Sequence, residues 1–328
     1  MTEQQLLSVI DCIEAAGCDY KRDLPLSSCS TFKIGGAAEI AIYPHNSLEL
    51  EAAVSYLVKN NIRFDVFGNC SNVLFDDKGY RGAIVFTSKM RSMEIVGNVI
   101  RASAGCNLNA VANAAMKAGL SGLEFAYGIP GTVGGAVYMN AGAYEKQVDD
   151  VLCTSLAYDY ERGEMLVLDR GEHDYAYRHS YYMGKPLIAL EATFKLQDGD
   201  IDEIEQKMSD YMARRRTKQP LEFPNAGSIF KRCSGHFIGK LIDEACDEET
   251  ELAMRDAALR QEGVTDIQRL RTRKFGSGMC ADIEVTVEAD TPLSKACDIC
   301  ASVQSALMQE FCALKDCTVA VASGEKDK

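Results

Sequence analysis

The stretch GIPGTVGGAVYMNAGAY, Gly128 to Tyr144, holds five glycines and one proline in seventeen residues and carries no charged side chain. Glycine lets the backbone take positive φ and lets a ligand come close to it. Successive exposed N–H groups then form a concave nest for an anion such as a pyrophosphate. A tight connection between packed strands accounts for the same composition equally well. The spacing lacks the strand–turn–helix setting of a dinucleotide fingerprint, so it is not one. Four further segments carry polar groups in unusual company. TFKIGGAAEIAIYP (31–44) has a second glycine pair, Gly35 and Gly36. FGNCSNVLFDDKGYRGAIV (67–85) places Ser71 and Asn72 behind Gly68. YAYRHSYY (175–182) sets Arg178 among tyrosines, where a structural ion pair is the plain alternative to a functional cation. QPLEFPNAGSIFKR (219–232) sets Ser228 between a glycine and an aromatic-containing run, with Lys231 three residues on. A turn hydroxyl and a solvated lysine are the plain readings of those two.

The elements that must position these groups follow from periodicity. Residues 6–16, 48–61, 107–119 and 202–219 have helical spacing, and the last turns basic towards its end, as the helix dipole favours. Residues 37–44, 63–68, 82–86, 98–105 and 186–196 read as strands. The texture changes after Gly239: a helix (241–262), strands (264–274 and 279–289), a helix (293–311) and a strand (315–322). In ADIEVTVEAD, Ala281, Ile283, Val285 and Val287 alternate with polar residues, which gives one buried sheet face. The chain is α+β, with a boundary near 239–241.

The 328 residues suffice for two or three domains. The net charge of −13 argues against a nucleic-acid surface but leaves room for a local basic pocket. The acidic, amphipathic start lacks the form of a secretory signal, and no apolar run reaches membrane-spanning length. Thirteen cysteines without a repeating spacing predict reduced cytoplasmic thiols, most of them buried. Cys297 and Cys300 form a C-x-x-C within a predicted helix, too little for a metal or redox site.

Taken together and in order, these motifs make residues of about 20–240 resemble the UDP-N-acetylenolpyruvoylglucosamine reductase family. The resemblance implies a two-part FAD-binding fold of the vanillyl-alcohol-oxidase type, with subdomains at 1–85 and 86–218 and a remnant of a substrate domain at 219–240. It implies FAD and NADPH as cofactors, a nucleotide-sugar substrate, and a cytoplasmic role in peptidoglycan synthesis. It implies that Gly35, Gly36, Gly68, Asn69, Ser71, Asn72, Gly128, Ile129, Pro130, Gly131, Thr132, Gly134, Gly135, Asn140 and Gly142 hold FAD. In the family's glycine-rich loop, Asn69 and Cys70 replace two glycines here. By the same resemblance, Arg178 stabilises an enolate, Ser228 delivers a proton, and Tyr177 and Lys231 meet the substrate.

The family's closing segment, which ends in a catalytic glutamate, is not found after GKLIDEA. A forced alignment puts Thr318 at that position, with Glu310 and Asp316 nearby. Residues 241–322 instead resemble the cytoplasmic C-terminal domain of cation diffusion facilitators, a small ferredoxin-like α/β unit that pairs with its own copy. The metal-ligand positions of that family fall on Gln268, Glu284, Cys297 and Ala320, so no metal is expected. Two functions follow: a reductase with an atypical C-terminal domain, or a catalytically impaired flavin-binding protein joined to a dimerising module.

Overall fold

The computed structural model describes residues 1–219, 221–227, 231, 246–275 and 278–322; the side chains of Lys218 and Phe275 fall outside that description. Contacts divide the chain into two units, Met1–Ile229 and Phe230–Lys328.

The first unit opens with α1 (Glu3–Ala15), whose Thr2–Gln5 capping box satisfies two end donors. Leu6, Val9, Ile10 and Ile13 form its buried stripe at helical spacing. The strands β1 (Asp19–Pro25), β2 (Ala37–Tyr43), β3 (Phe64–Phe67) and β4 (Tyr80–Phe86) make a sheet ordered β1-β2-β4-β3. Only β1 runs antiparallel to its neighbour. α2 (Ser47–Lys59), capped by Asn46, packs with α1 over β2 and β4, burying Ile40, Ile42, Leu50, Leu57 and Val85.

A second sheet begins with β5 (Met93–Val96) and β6 (Val99–Ser103). Then come α3 (Leu108–Lys117), β7 (Leu120–Ser121), α4 (Val133–Met139) and the short pair β8 (Gly142–Ala143) and β9 (Lys146–Gln147). The sheet is completed by β10 (Leu152–Asp159), β11 (Glu164–Asp169) and β12 (Leu187–Lys195), in the antiparallel order β11-β10-β12-β6-β5. β13 (Gln197–Asp198) pairs with β7 and leads into α5 (Ile201–Lys218). The second core gathers α3, α4, α5 and the sheet around Ile100, Phe125, Val137 and Phe194. Tyr158, Ile188 and Leu190 of the second sheet belong to the first core, so the two sheets share packing.

The second unit has helices at Glu248–Leu259 and Leu293–Glu310 over a sheet of β14 (Asp266–Phe275), β15 (Gly278–Thr286) and β16 (Leu314–Val321). β14 pairs antiparallel and β16 parallel to β15. Ala281, Ile283 and Val285 are buried on alternate positions, as the pattern requires. This is the small α/β unit expected from the sequence. Among the described residues, no helix is long and apolar enough to cross a membrane.

Two expectations need correction. The glycine-rich stretch is not all loop: Val133–Met139 is helical, although it contains Gly134 and Gly135. Each helical glycine costs about 1 kcal/mol against alanine. Burial of Val133, Ala136 and Val137, with Thr132 as cap, holds the helix against that cost. Nor are most cysteines buried. Of those described, Cys18, Cys70, Cys106, Cys246 and Cys317 are buried, while Cys153, Cys297 and Cys312 are exposed and Cys12, Cys29, Cys280 and Cys300 lie between.

Candidate active site

The loop after β3 and the loop before α4 come together in the first unit. A Cβ added to Gly68 would lie 2.1 Å from Thr132 Oγ1, so no side chain fits there. Asn69 Nδ2 donates to the Pro130 carbonyl at 3.2 Å and ties the same two loops. Gly134 is closed in by Ala104, and Gly142 by the Lys146 carbonyl and Gln147. The Gly35–Gly36 pair likewise has a packing reason: a Cβ on Gly35 would strike Phe75, and one on Gly36 would strike the Asp77 carbonyl.

Gly131 and Gly135 differ from these. Neither has a positive φ, and a Cβ on either would meet nothing closer than ordinary contact: Ser71 Oγ and Ile129 at 3.9 Å for Gly131, Thr132 Oγ1 at 3.5 Å for Gly135. Neither packing nor conformation demands glycine there, and the space that a side chain would fill is left beside Ser71. The loop behind Gly68, which the resemblance assigns to FAD, also carries free donors. Among the described residues, none accepts from the amides of Asn69, Cys70, Ser71 or Asn72, nor from those of Gly131 and Thr132. The first amides of α4 are spent instead: Val133 N donates to the Cys106 carbonyl, Gly134 N to that of Ala104, and Gly135 N to Thr132 Oγ1. The donors left open here are therefore loop amides and not those of the helix end.

Cys70, beside Gly68 and Asn69, takes φ +48 although it is not a glycine. A non-glycine residue in that region is strained by about 1 kcal/mol or more. Its burial in an apolar cluster with Leu26, Phe75 and Phe86 compensates, and the same burial pushes its thiol up to about 12. It is therefore a packing residue and not a reactive thiol.

Arg178 sits at the tip of a tight turn. Ala176 and His179 exchange both backbone hydrogen bonds across it, at 3.3 and 3.1 Å. Arg178 takes φ +55. Its Nη1 donates to the Asn140 carbonyl at 3.2 Å and its Nη2 to the Gly142 carbonyl at 2.8 Å. The Tyr177 ring lies 5.2 Å from the guanidinium carbon. Among the described residues, no carboxylate forms an ion pair with Arg178, so the structural ion pair is not what holds it. Two carbonyls fix the half-buried cation without neutralising it. Asn140, fully buried at φ +42, is the reason. Its Nδ2 donates to the Ala176 carbonyl, and its Oδ1 accepts from Asp149 N.

Sequence reasoning missed Arg215. The buried stripe of α5 runs Ile204, Met208, Tyr211, so the next position at helical spacing is Arg215. The basic end of this helix was read only against the dipole. Arg215 Nε is buried with no hydrogen-bond partner among the described residues. Its Cδ lies 3.3 Å from where a Gly128 Cβ would be. Tyr144 stacks on Tyr211 at 4.0 Å and donates to the Tyr211 carbonyl at 2.6 Å. Burial lowers the Arg215 pKa, yet arginine stays charged, so an anion at this end of the glycine stretch would satisfy it.

The remaining expectations fall elsewhere. Ser228 lies outside the described residues. Lys231 is exposed and belongs to the second unit. Glu310 is engaged by Arg260 Nη2 at 2.7 and 2.8 Å, and Asp316 is exposed on β16. Glu284 pairs with Arg269 at 3.4 Å and Cys297 is exposed. Among the described residues, no three His, Cys, Asp or Glu side chains converge on a metal position.

Comparison with known proteins fits this geometry. Residues 38–169 match the FAD binding domain family, and residues 246–322 match the cytoplasmic domain of cation efflux proteins. The UDP-N-acetylenolpyruvoylglucosamine reductase of Caldicellulosiruptor saccharolyticus is 46% identical over 236 residues, covering 71% of this chain and 76% of that one. The chain belongs to the UDP-N-acetylenolpyruvoylglucosamine reductase family. A Clostridium novyi reductase is 40% identical over 245 residues, 75% of this chain and 80% of its own. The solved reductase of Thermus caldophilus superposes with a TM-score of 0.60 at 25% identity, over 88% of this chain and 95% of that chain.

The donor set fits the flavin of this family. It combines unspent loop amides, two glycines open on one side and a half-buried arginine whose Nε has no partner among the described residues. The two classes of glycine should behave differently. Gly68→Ala is expected to lower stability by about 1–3 kcal/mol through overpacking, seen as a lower melting temperature. Gly131→Ala is expected to melt within a few degrees of the parent yet to bind FAD at least about ten-fold more weakly, by fluorescence titration. Equal melting losses with equal affinity in both variants would contradict the assignment.

Proposed function

We propose that the chain reduces UDP-N-acetylenolpyruvoylglucosamine to UDP-N-acetylmuramate, with NADPH as reductant, in peptidoglycan precursor synthesis. The observation that carries the reading is Arg178, a cation held by two carbonyls beside the glycine-rich stretch without a neutralising carboxylate. Bound FAD supplies a two-electron carrier that takes hydride from NADPH and yields it to carbon. The amides of 69–72, with Ser71, Gly131 and Thr132, would hold the cofactor's pyrophosphate, and Arg215 would supply a cation to the bound anion.

Hydride arrives at C3 of the enolpyruvyl group and the carbon–carbon double bond opens. The electron pair left at C2 spreads into the carboxylate. Arg178 stabilises that enolate electrostatically, by several kcal/mol for a preorganised charge. A proton then adds to C2 and the carboxylate is restored. Ser228 is matched to the donor role, and Tyr177 and Lys231 to substrate contact.

A second reading has an observation of its own. Residues 246–322 match an efflux-protein domain, and Glu310, a nearby candidate for the missing glutamate, is engaged with Arg260. In that reading flavin binds but transfer to substrate is slow, and the second unit serves to pair two copies.

Two measurements test these proposals. Arg178→Lys should leave FAD content and reduction by NADPH within about two-fold, while substrate-dependent reoxidation of the reduced flavin falls about 10²–10³-fold in stopped flow. Reoxidation at the parent rate would remove Arg178 from the site. Light scattering should give twice the chain mass for the full chain and the single mass for residues 1–229. Equal oligomeric state in both would reject pairing through the second unit.

A further inference from the structure

Behind the turn that carries Arg178 lies a polar chain that the proposed chemistry does not use. Ser155 on β10, His173 at the end of a short 3-10 turn, and Tyr182 are each at most 1% exposed. His173 Nδ1 lies 2.8 Å from the Asp169 carbonyl, and its Nε2 lies 2.7 Å from Ser155 Oγ. Ser155 Oγ in turn lies 2.7 Å from the Tyr182 hydroxyl. A carbonyl only accepts, so Nδ1 carries the proton and neutral His173 accepts at Nε2. The hydrogen bonds therefore run in one direction: Tyr182 donates to Ser155, Ser155 to His173, and His173 to the Asp169 carbonyl. Protonation at Nε2 turns that acceptor into a donor and leaves one hydrogen of the chain without a partner.

This chain closes the base of a loop whose tip is Arg178. Tyr181 N donates to the His173 carbonyl at 2.6 Å. Ser180 Oγ donates to the Tyr138 carbonyl at 2.6 Å, and the Tyr175 hydroxyl to that of Val137 at 3.2 Å. His173 also stacks on Tyr175, with ring centroids 5.0 Å apart. Both ends of the 173–182 segment are thus fixed to buried groups, while Arg178 between them holds a strained φ.

We propose that the buried Tyr182–Ser155–His173 chain is a positioning device for Arg178, and that its function requires His173 to be neutral. The proposal rests on the role given to Arg178 above. Burial lowers the His173 pKa; the Asp169 and Arg170 backbone and the charges of Glu172 and Asp149 act the other way and are outweighed. Tyr175 and Tyr182 are the other titratable groups against its ring. A histidine held neutral in the fold contributes stability that is present above its unfolded pKa, about 6.5, and lost as pH falls through the lower folded value.

The test uses the full chain with bound FAD. Ser155→Ala should speed hydrogen exchange of the 174–183 peptide at least about ten-fold and slow substrate-dependent reoxidation about ten-fold, with FAD content unchanged. His173→Gln places an amide oxygen where Nε2 accepts and cannot be protonated. It should keep both parent values and lose the part of the acid destabilisation that sets in as pH falls below about 6.5. If Ser155→Ala does not fold, Tyr182→Phe reads the same two quantities. In an Arg178→Lys background, Ser155→Ala should slow reoxidation no more than about two-fold further. Unchanged exchange overturns the proposal, as does the same ten-fold loss in both backgrounds. Parent-rate reoxidation in Arg178→Lys alone removes the reading of Arg178 instead, and the exchange result then decides whether the chain fixes the loop.

Discussion

Asn140 is the constraint on which the rest of the first unit depends. It ends α4 at φ +42, fully buried, where few residues other than glycine are at ease. Asparagine is enriched in that conformation, and its amide can bond to local backbone. Here its two amide atoms go to the Ala176 carbonyl and the Asp149 amide, and its own carbonyl receives Arg178. One side chain thus ties the glycine-rich stretch to the turn bearing the cation. Glycine would supply the same φ but neither side-chain bond. The amide therefore fixes the approach of the two segments, which the left-handed backbone alone would not.

The glycines around it divide by what surrounds them. Gly68, Gly134 and Gly142 are required by other protein atoms, while Gly131 and Gly135 are not. A glycine-rich sequence cannot reveal this division, because the absence of a side chain looks the same in both cases. The contact between Gly68 and Thr132 joins residues more than sixty positions apart, and only the fold brings them together. The same holds for Arg215. Its place in the α5 stripe was available from spacing, but its unpaired Nε against Gly128 depends on where the helix packs.

The long, half-buried elements were legible. α2, β4, β12 and α5 follow the hydrophobic pattern within a few residues. β1, β5 and β11 were not, because as edge strands they bury almost nothing and show no alternation to read. α4 was missed because its helix rests on packing against local propensity. Arg178 was found by family resemblance, and the structure adds what no pattern contains: the carbonyls that orient it and the missing carboxylate partner among the described residues. The second unit was legible as a fold from the alternation in β15.

In the proposed function, hydride moves from NADPH through FAD to an enolpyruvyl carbon. The most direct measurement is an anaerobic two-step experiment on the purified holoprotein, following flavin absorbance. NADPH is added to bleach the flavin, and UDP-N-acetylenolpyruvoylglucosamine is then added without oxygen. The account predicts bleaching in the first step and return of the oxidised spectrum in the second, with one product formed per flavin reoxidised. A flavin that bleaches and stays bleached over hours with substrate present would contradict the account and leave a flavin-binding assembly protein.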